Sequence, residues 1–156
     1  MRIWTFRFLS SSYSIPLILL AALSVCQGTP GSDGPPRRYA CEVVRRLPHN
    51  PDAFTQGLVY ENGLFYESTG QYGRSTLRRV DVESGRVEKQ LKLDDKYFAE
   101  GLALVGERLI QLTWKQNTGF VYDRDTFRKI REFTYPGEGW GLAYDAAKNR
   151  LILSNG

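Results

Sequence analysis

Three stretches share one frame: "FTQGLVYENG" at 54–63, "FAEGLALVG" at 98–106 and "GEGWGLAYDA" at 137–146. Each carries a Gly-Leu step, at Gly57-Leu58, Gly101-Leu102 and Gly141-Leu142. The residue before the glycine differs each time: Gln56, Glu100, Trp140. The steps recur at intervals of about 40 residues, the period of propeller blades and solenoid units. Period two within the units favours strands, since helical repeats of this length need long amphipathic runs. The first unit reads as strands Leu58–Tyr60, Leu64–Ser68, Leu77–Val82 and Val87–Leu93. Asn62-Gly63 is a type I′ hairpin signal, and Ser84-Gly85 marks a second turn. The second unit repeats this as Leu102–Val105, Leu109–Thr113, Phe120–Asp123 and Phe127–Phe133. Four antiparallel strands in that length make one blade, so the sequence predicts an all-β propeller.

Working outward, Glu42–Leu47 resembles the last strand of each unit and is expected as an outermost strand without a unit of its own. The units are expected at about 44–93 and 94–135, with a half unit running to 156. Two and a half blades do not close a ring, so the chain is expected to be a fragment of a longer one. In a propeller the first strand of each blade lines the central channel. Gln56, Glu100 and Trp140 should therefore converge on one cavity, each blade supplying a different chemical part.

Further towards the N-terminus, Arg2 and Arg7 precede "SIPLILLAALSV" at 14–25, a short apolar run followed by small and polar residues. That is the pattern of a secretory signal, here residues 1–28. "ALSVCQG" also resembles a lipoprotein cleavage box with Cys26 as the anchored residue, although Val25 departs from the usual small residue. The expected location is outside the cytoplasm: periplasmic, membrane-anchored or secreted. Residues 29–39 form a Gly/Pro-rich linker, and 40–156 the propeller domain.

Composition agrees with one β domain: 42% hydrophobic, 13% aromatic, 15 glycines and 9 tyrosines. The formal charge of +4 includes Arg2 and Arg7 of the leader. The remaining basic residues are scattered, which argues against a nucleic-acid surface. Cys41 stands alone in the domain and His49 is the sole histidine. Neither a disulfide nor a clustered metal site is expected from such a set. His49, in "LPHNPD", reads as a structural hydrogen-bonding residue.

"PHNPDAFTQGL" (48–58), "YFAEGLAL" (97–104), "LIQLTWK" (109–115) and "GEGWGLAYD" (137–145) together resemble the plant and bacterial glutaminyl cyclases, or glutaminyl-peptide cyclotransferases. The resemblance runs from about Cys41 to the end, in order. Asn50 departs from it, since the family usually has Asp there. The resemblance implies a five-bladed propeller that turns an N-terminal glutamine of a peptide or protein into pyroglutamate, releasing ammonia without metal or other cofactor. It implies Glu100 as the catalytic acid/base, with Phe54, Gln56, Trp114 and Trp140 as substrate-binding residues. Further family residues, an asparagine, a tryptophan and a lysine, would lie beyond Gly156. The alternatives are a secreted binding propeller without chemistry, and an inactive remnant of the enzyme.

Overall fold

The structure is a computed structural model that describes residues 38–156 and, as backbone, the strand Ile3–Arg7. The chain divides into two compact units, Leu9–Arg46 and a larger one of Met1–Phe8 with Leu47–Gly156. In the first, the described residues 38–46 have no regular secondary structure. Apart from Ile3–Arg7, the expected signal, Cys26 and most of the linker lie outside the described residues.

The larger unit is built from antiparallel sheets. β1 is Ile3–Arg7. The first blade is β2 (Thr55–Glu61), β3 (Leu64–Thr69), β4 (Thr76–Asp81) and β5 (Val87–Lys92), paired in that order. The second is β6 (Ala99–Val105), β7 (Arg108–Thr113), β8 (Thr118–Asp123) and β9 (Lys129–Thr134), in the same order. β10 (Leu142–Asp145) and β11 (Arg150–Ser154) begin the third, joined by a 3₁₀ turn at Ala146–Lys148. β1 pairs with β11, the place held by the third strand in the other two blades. The two complete blades and the half blade fall where the repeat predicts.

Local sequence explains the hairpins. Asn62 and Gly63 both have positive φ (49° and 81°), as a type I′ turn requires. The outer turns are Asx turns: Ser84 N–H donates to Asp81 Oδ1 at 2.9 Å, and Thr126 N–H to Asp123 Oδ1 at 2.8 Å. The left-handed residue that follows is Gly85 in the first blade and Phe127 in the second (φ 59°). Phe127 is therefore a turn residue and not the start of a strand, which begins at Lys129. Its ring is buried and meets Tyr66 of the first blade, 6.4 Å between centroids. That packing outweighs the backbone preference for glycine.

Glu42–Leu47 is not the expected strand. A strand needs a neighbouring backbone to bond, and residues 42–47 take part in no described sheet. Val43 and Val44 stand in solvent, Val44 92% exposed.

The core lies between blades. Tyr66 and Leu77 of the first blade pack with Leu102, Leu109 and Phe120 of the second. Ile110 and Val121 turn the other way, onto Leu151 of the third. β7 thus buries both faces, and "LIQLT" reads as a nearly continuous run where an exposed strand would alternate.

The innermost strands β2, β6 and β10 stand side by side, and the repeated glycines permit it. A Cβ on Gly57 would sit 2.6 Å from Leu102 N, and one on Gly101 2.5 Å from Trp140 O. Gly101 N–H instead donates to Trp140 O at 2.7 Å, tying second blade to third. The predicted consequence is that Gly101→Ala destabilises by about 1–3 kcal/mol, the usual range for overpacking. Gly106→Ala meets no atom within 4 Å at φ 56° and should cost only about 1 kcal/mol, for backbone strain. Chemical denaturation of the two variants measures the difference, and tryptophan emission should move in Gly101→Ala alone.

Candidate functional site

The slots before Gly57 and Gly101 are irregularities of the inner strands. Thr55 faces Thr69 while Gly57 faces Ser68, so Gln56 is an extra residue on β2. Ala99 faces Thr113 while Leu102 faces Gln111, so β6 likewise gains a residue at Glu100-Gly101. A bulge removes a residue from the ladder and re-aims its side chain. Both side chains turn to one another across the blades: Gln56 Nε2 donates to Glu100 Oε1 at 2.8 Å.

Glu100 is only 6% exposed. Burial pushes its carboxyl up, the Gln56 hydrogen bond opposes that rise, and the negative charge of Glu138 adds to it. The result is a carboxyl raised from the ordinary carboxylate range to about 7. It therefore holds and releases its proton near neutrality, the condition for a general acid–base group.

An aromatic wall flanks the acid. Phe98, at the mouth of β6, touches three rings edge-on: Phe54 at 6.1 Å, Tyr72 at 5.5 Å and Trp114 at 5.6 Å between centroids. Trp114 continues to Trp140 at 6.3 Å and 79°. Gly70 leaves room for this, since a Cβ there would strike the Phe98 ring and approach Gln56 Cγ at 3.0 Å. Backbone bonds set the wall: Trp114 N–H to Phe98 O at 2.9 Å, Gly139 N–H to Trp114 O at 2.8 Å, Trp140 N–H to Ser154 O at 3.0 Å. Phe54 and Trp140 remain half exposed, so the wall opens to solvent.

All five residues singled out in the sequence gather here. Gln56 touches Glu100 directly, Trp114 and Trp140 pack together, and Phe54 reaches them through Phe98. Sequence reasoning missed Glu138, whose Oε2 accepts both indole N–H groups, from Trp114 at 2.8 Å and Trp140 at 3.0 Å. It also missed Tyr72 and the ring contacts of Phe98. The one available signal for Glu138 was its place in "GEGW", two residues before Trp140.

His49 lies in a separate cluster. Its Nε2 meets Glu67 Oε1 at 2.8 Å, and Thr55 Oγ1 donates to the same oxygen at 2.5 Å. Asn50 closes the preceding turn, its Oδ1 accepting from Asp52 N–H at 2.9 Å, a bond an aspartate would also make. Cys41 is free and exposed. Among the described residues no three His, Cys, Asp or Glu side chains gather as a metal site would require.

The family model for glutamine cyclotransferase matches residues 17–156. A glutaminyl-peptide cyclotransferase of Arabidopsis thaliana is 53% identical over 106 residues, 67% of this chain and 33% of that protein. The crystal structure of Myxococcus xanthus glutaminyl cyclase superposes with a TM-score of 0.65 at 42% identity, covering 74% of this chain and 47% of that one. The β-propeller domain of Cps50 (Swd1) from Myceliophteria thermophila has a TM-score of 0.50 at 13% identity, covering 62% and 29%, a likeness of fold alone. The chain thus spans about a third of the plant relative and about half of the bacterial one. With the family model matching most of its length and the blade architecture shared with the bacterial enzyme, the chain belongs to the glutamine cyclotransferase family.

Proposed function

We propose that the chain carries the proton-transfer half of a glutaminyl cyclase site and acts on peptides with an N-terminal glutamine, with Glu100 as the catalytic acid and base. The observation that carries this reading is the buried Glu100 carboxyl, raised to about 7 and held by a neutral donor beside an open aromatic wall.

The neutral α-amine of the substrate attacks its own side-chain amide carbon, forming the ring C–N bond. Both reactants are in one molecule, so the site must fold the substrate and move protons. The Glu100 carboxylate takes a proton from the attacking nitrogen. The resulting carboxyl returns it to the departing amide nitrogen as the C–N bond breaks, giving pyroglutamate and ammonia. Gln56 has a second amide hydrogen and a carbonyl for the substrate. Trp114 and Trp140 pack on the glutaminyl chain and keep water from it, and Phe54 walls the outer side. No step draws on a metal.

Three outcomes are expected. First, ammonia release is measured with a short glutamine-first peptide, using the chain alone and the chain completed with the part of the M. xanthus enzyme it does not match. Glu100→Gln should lower kcat by roughly 10²–10⁴-fold, the usual worth of general acid–base help. Trp140→Ala should raise KM roughly tenfold as well as slow turnover, a wall's share of apolar contact being about 1.4 kcal/mol. In the parent, kcat/KM should rise with pH through about 7 as Glu100 becomes the base, and a chelator should leave turnover unchanged. Near-normal turnover in Glu100→Gln sinks the assignment, and a completed parent that releases no ammonia sinks the cyclase reading.

Second, the raised carboxyl makes stability depend on pH. Between the ordinary value of 4.5 and about 7 the folded protein holds a proton that the unfolded chain releases. Stability from this group is full below that window and falls as pH rises through it. At pH 8 Glu100→Gln should therefore be more stable than the parent by roughly 1–3 kcal/mol, and at pH 4 nearly equal. Urea melts at the two pH values check the sign.

Third, we propose that residues 1–28 direct export, either with cleavage past Cys26 or with lipid anchoring at it. Cleavage would take β1 away with the leader and leave β11 without its outer partner. Mass spectrometry of the mature N-terminus decides: a diacylglyceryl group on Cys26 supports the anchor, a free terminus beyond it supports secretion, and an intact Met1 refutes export.

A further inference from the structure

Glu138 lies on the loop between β9 and β10 and has no part in the proton transfer derived above. A single oxygen, Oε2, accepts the indole N–H of Trp114 at 2.8 Å and of Trp140 at 3.0 Å. The two tryptophans come from different blades and their rings meet at 79°. An indole N–H taken out of water needs an acceptor, and a carboxylate oxygen can serve two donors at once with charge-assisted bonds. The loop is itself fixed on both sides. Gly139 N–H donates to Trp114 O at 2.8 Å, Tyr135 N–H to Asn117 O at 3.2 Å, and Asn117 Nδ2 donates to Gly137 O. The carboxylate is thus delivered to the indoles by a braced turn.

We propose that Glu138 is a positioning residue of this site: it clamps Trp114 and Trp140 into one wall. The inference rests on the reading of Glu100 as the proton carrier. Gln56 on β2 bonds Glu100 as a neutral donor, and the charge of Glu138, on the β9–β10 loop, and the hydroxyl of Tyr135, at the base of that loop, interact with it electrostatically. Lys115 lies over the Trp114 ring, 4.0 Å from its centroid, as the nearby cation. Glu138 and burial raise the Glu100 carboxyl, while Gln56 lowers it. Without the charge of Glu138, Glu100 ionises at lower pH and has less proton to return to the leaving nitrogen near neutrality. Clamp and charge are one carboxylate, so the same residue shapes the pocket and tunes its acid.

Two substitutions separate these parts. Glu138→Gln keeps an oxygen for the indoles and removes the charge. Glu138→Ala removes both. The chain is labelled so that the Glu100 side-chain carboxyl and the indole N–H groups are read by NMR, with Trp114→Phe and Trp140→Phe assigning the latter. In Glu138→Gln the Glu100 midpoint should fall by roughly 0.5–1 pH unit from about 7, and the lower limb of kcat/KM should move with it. In Glu138→Ala both indole resonances should shift and exchange faster with solvent. An unmoved Glu100 midpoint in Glu138→Gln overturns the charge role. Unmoved indole resonances in Glu138→Ala overturn the clamp; should that variant not fold, Glu138→Ser, whose hydroxyl is too short to reach the indoles, is read in its place by the same resonances. The NMR readouts need no turnover. If both shifts occur and no peptide is cyclised, the cyclase reading fails while the arrangement around Glu138 stands. If peptides are cyclised and neither shift occurs, the inference about Glu138 fails alone.

Discussion

Everything in the site hangs on how closely the backbones of neighbouring blades approach at the Gly-Leu steps. Gly57 leaves no space for a Cβ against Leu102, nor Gly101 against Trp140 and Leu142. The Gly101 N–H to Trp140 O bond of 2.7 Å crosses the boundary between blades there. With a side chain at either glycine the inner strands would stand further apart. Gln56 and Glu100 could then not meet at 2.8 Å. The bulges at the same points add the second condition, because an extra residue on each inner strand is what turns the slot side chain away from the ladder. Close approach and bulge together convert a packing repeat into a cluster of functional groups.

Two buried glutamates illustrate how environment assigns roles. Glu67, on β3, has partners on both oxygens: His49 and Thr55 on one, Arg78 at 3.8 Å on the other. It ties the segment before β2 to the first blade and is shut off from solvent. Glu100 has one neutral donor, an apolar neighbourhood and a second carboxylate nearby, with no cation among the influences on it. A well-partnered acid holds structure together. A poorly partnered one is costly to ionise, and that cost is what brings its proton exchange to neutral pH. The position of Thr55 is also instructive, because its hydroxyl anchors to Glu67 immediately before Gln56 leaves the ladder.

The aromatic wall shows a similar economy. Phe98 gathers Phe54, Tyr72 and Trp114 edge-on, and the chain of rings passes to Trp140. Edge-to-face contacts of this kind stiffen a surface that is open to solvent. The polar ends are satisfied by Glu138 at the indoles and by Gln116 Nε2, which donates to the Tyr72 hydroxyl at 3.1 Å. A rigid apolar wall whose indole donors are already bonded can exclude water without those donors competing for the polar groups of a peptide.

The amino-acid sequence by itself determined the repeat, the strand order within each blade and the Asn62-Gly63 turn, because these depend on residues close together in the chain. The repeat also put Gln56, Glu100 and Trp140 in equivalent slots, and the family resemblance added Phe54 and Trp114. Only tertiary structure decided four other matters. The bulges at Gln56 and Glu100 depend on register against β3 and β7, which alternation alone does not reveal. The fate of Glu42–Leu47 turned on the absence of a bonded neighbour among the described strands, since β-propensity is worth little without one. Phe127 took a left-handed turn position because burial against Tyr66, a residue of another blade, outweighs local backbone preference. Glu138 is the fullest example. In sequence it is one polar residue in a Gly-rich turn, and its two indole partners and its effect on Glu100 exist only where separate blades meet.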